Sequence, residues 1–360
     1  MQIRSLDLKN YRNYGELHLT FDDHTNLLYG DNAQGKTNIL EAVYICAMGR
    51  SHRSSRDREL ISFGEEESHI KLKMERRQLP YVIDIHLKKN RPKGVAINGV
   101  AIKRLSELFG ILNVVCFSPE DLNIINNGPD VRRRFIDMEQ CQLSSLYVHS
   151  LVNYNKALEQ KNKLLKELEK HSDWKDTLDI WDIQLERFGD EVISYRRKFI
   201  SDLNVILKQV HLDLTGGREN LSIVYEPNKV RNMREEELYR RTTLSGPHRD
   251  DMGIYDKDID LRKYGSQGQK RTAALSLKLA EIEIVEKKVG DQPILLLDDV
   301  LSELDASRQK HLLGAVSRIQ TIITCTGTEG YINGGLKVDK IFHVKSGEVI
   351  CEDGIDGGTT

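Results

Sequence analysis

Residues 30–37 read GDNAQGKT, preceded by the apolar run NLLY (26–29) and followed by NILEAVYICA (38–47). The eight residues fit G-x-x-x-x-G-K-[ST], the spacing of a phosphate-binding loop. In that pattern Gly30, Asp31, Asn32, Ala33, Gln34 and Gly35 bring main-chain N–H groups around the phosphates, Lys36 reaches the outer phosphates, and the Thr37 hydroxyl ligates Mg²⁺. Gly30 and Gly35 stand at the turns, where the backbone must come closest to the ligand. The flanks agree with the motif. Asn26–Tyr29 reads as a short apolar strand, and Ile39, Leu40, Val43 and Tyr44 recur at helical spacing, so a helix N-terminus faces the anion. This predicts an α/β fold that binds a nucleotide.

The rest of the composition narrows the class. A chain of 360 residues has length for about two lobes. With 53 basic and 55 acidic residues the formal charge is −2, so any nucleic-acid surface must be local rather than a global positive field. Cys46, Cys116, Cys141, Cys325 and Cys351 are scattered and form no C-x-x-C pair, which argues against a disulfide framework or a structural zinc site. The first residues, MQIRSLDLKNYRNY, lack the apolar core of a signal peptide, and no stretch has the length to span a bilayer. A cytoplasmic protein without a membrane partner is expected.

The first 120 residues show period-2 alternation at Leu17, Leu19 and Phe21 and at Tyr81, Ile83, Ile85 and Leu87, with Asn98-Gly99 as a hairpin turn. From about Leu143 to Val210 the spacing turns helical. Leu151, Leu158 and Leu165 are followed, after a break at His171-Ser172-Asp173, by Leu185, Val192, Phe199, Leu203 and Ile206, which predicts an antiparallel helical pair. The α/β character returns from Leu244, with PILLLDD (293–299) and TIITCTG (321–327) as buried strands, a hairpin turning at Ser346-Gly347 and a polar tail. The expected organisation is a discontinuous ATPase lobe, 1–120 and 244–360, with a mainly helical lobe, 121–243, inserted in it.

Two further stretches carry chemistry. The apolar strand 294–297 delivers Asp298 and Asp299 at its end. Asp298 is placed to hold Mg²⁺ with Thr37, and Asp299 to orient or deprotonate an attacking water. The turn Ser266-Gln267-Gly268-Gln269 opens a periodic helix and offers a hydroxyl, a flexible glycine and aligned N–H groups to a second anion.

The order of phosphate loop, helical insertion, Ser-x-Gly-Gln, strand with two acids, and Ser302-Glu303-Leu304-Asp305 resembles the ATP-binding-cassette head of the structural-maintenance-of-chromosomes type. More narrowly, LKNYRNY, FSPEDL (117–122), GPDVRRRFID (128–137), LSGPHRDD (244–251) and YGSQGQKRT together resemble the RecF family of bacterial DNA replication and repair proteins. The resemblance implies a mixed sheet around the phosphate loop and an ATP-dependent head-to-tail homodimer. In it Ser266, Gly268 and Gln269 of one copy close on ATP and Mg²⁺ held by another, with Asp305 in the contact loop. It further implies that Arg12 approaches the nucleotide, that Glu120 or Asp121 lies near the metal, and that slow hydrolysis resets the clamp. Implied partners are double-stranded DNA at gapped junctions, the mediator RecR and the RecA recombinase. Two positions depart from the common cassette pattern: Asp299 stands where most carry Glu, and Thr324 or Thr326 where many carry a phosphate-sensing His.

Arg132, Arg133 and Arg134, with Arg231, Arg234, Arg240 and Arg241, are candidates for neutralising DNA phosphates. The alternative for the first three is pairing with internal acids or contact with nucleotide. His248, Arg249 and Asp250 read as an internal network. A long-armed chromosome-organising or break-repair ATPase, a metal-dependent nuclease and a transporter-coupled ATPase are rival classes; the short helical insertion, the absence of a further His/Asp cluster and the RRRF and GPHRDD blocks weigh against them in turn.

Overall fold

The computed structural model describes residues 1–54, 56–167, 175–229, 233–301, 304–327 and 337–355. Arg231, Ser302, Glu303, the break at 171–173 and the last five residues of the tail lie outside the described residues. Two compact units are present: residues 1–121 with 281–360, and residues 122–280.

The first unit holds two six-stranded sheets. In one, Thr25–Tyr29 runs parallel between Val338–Lys345 and Thr321–Cys325, followed by Ile294–Asp298 and Val114–Phe117, while Glu348–Ile355 adds an antiparallel edge. Strands such as TNLLY and ILLLD are buried almost throughout because both faces of a parallel sheet are covered. The other sheet is antiparallel, in the order Tyr14–Thr20, Gln2–Tyr11, Glu67–Arg76, Leu79–Lys88, Gly94–Ile97 and Val100–Ala101. Its strand Glu67–Arg76 alternates buried and accessible residues, as one covered face requires. The helix Lys36–Met48 touches strands of both sheets, and eleven of its thirteen residues are buried. That is the reason ILEAVYICAM is apolar all round rather than striped. The hairpins at Asn98-Gly99 and Ser346-Gly347 both turn with two consecutive positive φ angles, the conformation that favours Asn and Gly there.

The second unit is built on the helices Pro129–Leu143, Ser145–Glu167 and Lys175–Thr215. Ser145–Glu167 packs on Lys175–Thr215, burying Tyr154, Ala157 and Leu165 of one and Leu185, Val192, Phe199, Leu203 and Ile206 of the other. The three-stranded sheet Leu221–Glu226, Asp251–Asp256 and Ile259–Asp260 belongs to the same unit. The change of pattern at Leu244 points to a return to the first unit, yet that return comes only at Glu281. The physical reason is strand pairing: Asp251–Asp256 runs against Leu221–Glu226 and not against the phosphate-loop sheet.

Candidate nucleotide-binding site

Strand register places the site. Leu28, Thr324 and Asp298 form one row across three adjacent parallel strands, so the loop leaving Tyr29 and the acids leaving Leu297 emerge at the same carboxyl edge. The loop is shaped by Gly30 at φ 147°, Ala33 at φ 64° and Gly35 at φ 117°. A Cβ on Gly30 would stand 2.2 Å from the Val344 carbonyl oxygen, and one on Gly35 would stand 2.6 Å from the Asn13 amide nitrogen and the Tyr14 hydroxyl. These two positions therefore require glycine on both conformational and packing grounds. Gln34 fixes the tip. Its side-chain oxygen accepts from the Ser346 N–H at 2.6 Å, and its carbonyl accepts from Asn13 Nδ2 at 2.8 Å and from the Gly347 N–H at 3.3 Å.

Lys36 is buried, and its ammonium donates to the carbonyl oxygens of Gly30 at 2.6 Å and Asp31 at 2.7 Å. Burial lowers its pKa below the usual lysine value, against the opposing fields of Cys325, Asp299, Asp298 and Asp31. The Thr37 hydroxyl donates to Asp298 Oδ1 at 2.8 Å. Thr324, also buried, donates to the same oxygen at 2.8 Å while its own oxygen accepts from the Asp299 N–H at 3.1 Å. Of the two threonines at the sensor position, Thr324 thus braces both acids. Asp299 has φ 53°, a left-handed conformation that Asp tolerates better than most residues. An ammonium, a wrapped loop of N–H groups, a hydroxyl and a carboxylate are the donor set for a polyphosphate with a hard divalent cation, and these residues fit that pair.

A second cluster adjoins the loop helix. Arg12, itself at φ 54°, donates from Nε and Nη2 to the two carboxylate oxygens of the fully buried Glu41 at 2.9 and 2.7 Å, and to Ser54 Oγ at 2.7 Å. Burial raises the Glu41 pKa, but the donors of Arg12 and Ser51 outweigh it and hold the carboxyl below its ordinary range. His52 packs edge-on against Tyr44 with ring centroids 4.8 Å apart. Burial lowers its pKa, while Glu41, Asp298 and Glu120 act on it in the opposite sense. Asp121 accepts from the Ser118 N–H at 2.8 Å, closing the turn after Val114–Phe117 beside the Asp298 strand. Glu41 and His52 are not singled out by the sequence, and Asn13 enters only as part of LKNYRNY without a role. A lone acid in the apolar helix NILEAVYICA was the one readable sign of this cluster.

In the second unit Ser266 and Gln269 form a capping box: the Gln269 N–H donates to Ser266 Oγ at 3.2 Å, and Gln269 Oε1 accepts from the Ser266 N–H at 3.0 Å. Ser266 and Gly268 are exposed. In the first unit, Asp305 caps the helix Ala306–Val316 by accepting from the Arg308 N–H at 2.9 Å. Arg132 is 2% exposed and pairs with both oxygens of Asp251, at 2.6 and 2.9 Å. The internal alternative therefore describes it. Arg133 donates to the Asp250 carbonyl at 2.6 Å, and Arg134 is exposed. Arg234 pairs with Asp179 and Asp182, and Arg240 with Glu236. Asp250 accepts from Arg196 at 3.0 Å, from Tyr225 and from the Asn228 N–H at 2.7 Å, while His248 meets the Tyr154 hydroxyl at 2.6 Å. His248 and Asp250 thus form an internal network, as the sequence suggests, whereas Arg249 between them is exposed.

The RecF/RecN/SMC N terminal domain family matches residues 2–349. A DNA replication and repair protein RecF of Lachnospira eligens is 52% identical over 363 residues, covering 98% of this chain and 100% of the relative. The chain belongs to the RecF family. A second RecF, from Lachnoclostridium phytofermentans, is 54% identical over 97% of the chain and 99% of its own length. Among solved structures, that of the recombination mediator protein RecF-ATPrS in the RecFOR pathway superposes with TM-score 0.90 at 34% identity, covering 97% of each chain. An Smc head bound to the C-winged helix domain of ScpA superposes with TM-score 0.59 at 17% identity, a likeness of fold alone. The RecF fold is thus an SMC-like ATPase head with helical additions. No helix among the described residues is long and apolar enough to cross a membrane.

Proposed function

We propose that this RecF-family chain is an ATP-dependent DNA-binding protein of recombinational repair. In this reading Gly30–Thr37 holds ATP, Thr37 and Asp298 hold Mg²⁺, and Ser266, Gly268 and Gln269 of a second copy close over the same nucleotide in a head-to-tail homodimer. The observation that carries the nucleotide half is the Thr37 Oγ1 to Asp298 Oδ1 contact at 2.8 Å, made across three strands by residues 261 apart in sequence. When bound, Mg²⁺ supplies Lewis-acid stabilisation of phosphate charge.

The chain's own residues do the rest. Lys36 exchanges the carbonyls of Gly30 and Asp31 for phosphate oxygens, and the loop N–H groups bind the same anion. Asp299, held by its N–H on Thr324, accepts the proton of an attacking water or orients it. Its side chain is one methylene shorter than the Glu usual in cassettes, which favours slow turnover. Arg12 completes the wall of the site, oriented by Glu41.

Support for the dimer half comes from Gly268. A Cβ there would meet nothing nearer than Ser266 Oγ at 3.9 Å, and its φ lies outside the left-handed region. Nothing among the described residues requires a glycine in this helical turn, where it is less favourable than Ala. Close approach of a ligand held by another chain does. DNA contact is assigned to exposed guanidinium groups such as Arg134, neutralising phosphates without reading bases. Cooperation with RecR in loading RecA belongs to the same proposal, and the superposing recombination mediator RecF of the RecFOR pathway supports it.

Light scattering with and without Mg-ATP tests this reading, for the wild type and Ser266→Arg. A mass that doubles with ATP and fails to double in the variant supports it. A monomer with ATP bound refutes the sandwich for the protein alone.

A further inference from the structure

On the solvent-facing side of the antiparallel sheet, Glu67 and His69 stand two residues apart on the strand Glu67–Arg76, and therefore on one face. His86, on the neighbouring strand Leu79–Lys88, is the direct cross-strand partner of His69. The imidazoles stack with centroids 3.9 Å apart and planes 20° from parallel, and His86 Nε2 lies 3.1 Å from Glu67 Oε2. One donor atom from each of the three side chains lies within 4.8 Å of the other two.

We propose that Glu67, His69 and His86 form a binding site for a borderline divalent transition metal ion, Zn²⁺ first, separate from the nucleotide site. Two imidazoles and a carboxylate suit Zn²⁺, Ni²⁺ or Cu²⁺ and not Mg²⁺ or Ca²⁺, which prefer all-oxygen shells. Strand pairing brings the three side chains together, so binding requires the accessible rings to turn out of their stack and the contacts of Glu67 with Lys88 and His86 to be exchanged for the ion. Ligation needs neutral imidazoles and an ionised carboxylate. Two cations oppose the site: Lys88 holds Glu67 Oε2 at 3.0 Å and must release it, and Lys9 lies directly across from His69. His69 and His86 also line an open groove of about 490 Å³, bordered by His18, Lys71 and Asp84, so an ion with three protein ligands keeps an exchangeable fourth position.

The test uses the full-length protein, titrated calorimetrically with ZnCl₂, and Co²⁺ absorption as a spectroscopic probe. One equivalent is expected, with d–d bands of four-coordinate intensity. Since supporting residues around metal ligands already contribute 10–100-fold in affinity, His86→Ala and His69→Ala should each weaken binding by roughly tenfold or more. Both positions are accessible, so unfolding curves and Mg-ATP affinity should be unchanged. Wild-type affinity in the double variant, or absence of a one-equivalent site in the wild type, overturns the proposal. Neither result bears on the nucleotide reading.

Discussion

Replacing Gly268 by Ala separates a glycine kept for the chain from one kept for a partner. The added methyl group meets only Ser266 Oγ, at 3.9 Å, an ordinary van der Waals contact. Alanine is favoured over glycine in a helix by about 0.8–1 kcal/mol, so Gly268→Ala should leave urea stability equal to wild type or raise it by up to about 1 kcal/mol. In the ATP-bound dimer the same methyl group would intrude where phosphate and loop must approach. Overpacking of this kind costs about 1–3 kcal/mol per site, and a head-to-tail pair has two such sites. The sum, about 2–6 kcal/mol, weakens ATP-dependent dimerisation by roughly 30-fold or more at 1.4 kcal/mol per tenfold. Gly30→Ala is the contrasting control: its Cβ would stand 2.2 Å from the Val344 carbonyl oxygen at φ 147°, so it should lower stability outright. Urea unfolding and light scattering with Mg-ATP read the two quantities separately. If Gly268→Ala unfolds as readily as Gly30→Ala, or dimerises like the wild type, the argument that this glycine serves a second chain is wrong.

Thr324→Val removes the hydroxyl that braces Asp298 and the Asp299 N–H; a lost charge-assisted bond of about 1.5–3 kcal/mol, half of it expressed in metal binding, should weaken Mg²⁺-dependent nucleotide affinity about three- to twelvefold, with Thr324→Ser restoring it. Equal affinities measured with Mg²⁺ would remove Thr324 from the site. Asp299→Asn should keep ATP binding and lose turnover in a phosphate-release assay, and normal steady-state hydrolysis would exclude the water-handling role. Arg132→Ala removes the two-pronged partner of Asp251, leaving it Arg262 at 3.9 Å, and should destabilise by about 3 kcal/mol, whereas Arg134→Ala, at an exposed position, should cost less than that and flatten the salt dependence of DNA binding. An unchanged log-log slope would make Arg134 irrelevant to DNA. Glu41 has a folded pKa below its unfolded value, so its contribution is fully present above about pH 4.5 and lost as pH falls through the folded value. Glu41→Gln should therefore flatten the acid limb of the stability curve, and an acid limb identical to wild type would contradict the pairing with Arg12.

The chain's own residues determined what is local. GDNAQGKT needs only its two glycines, its lysine and its threonine to state a phosphate loop, since the loop is a backbone conformation followed by a helix. The strand ILLLD announces burial on both faces, Asn98-Gly99 and Ser346-Gly347 announce their turns, and the helical pair shows in its spacing. Tertiary structure decided which distant groups share an edge. Thr324 reads as a sensor candidate in sequence, yet register with Asp298 makes it the brace of both acids. The hairpin at Ser346-Gly347 reads as a plain turn, yet it holds Gln34 of the loop from more than three hundred residues away. Arg132 to Arg134 look alike as RRR, but the 100° step between successive helical residues buries the first against Asp251 and exposes the third. Composition cannot reveal such differences, because burial and pairing are properties of where a side chain ends up, and sheet register sets that only after the whole unit has assembled.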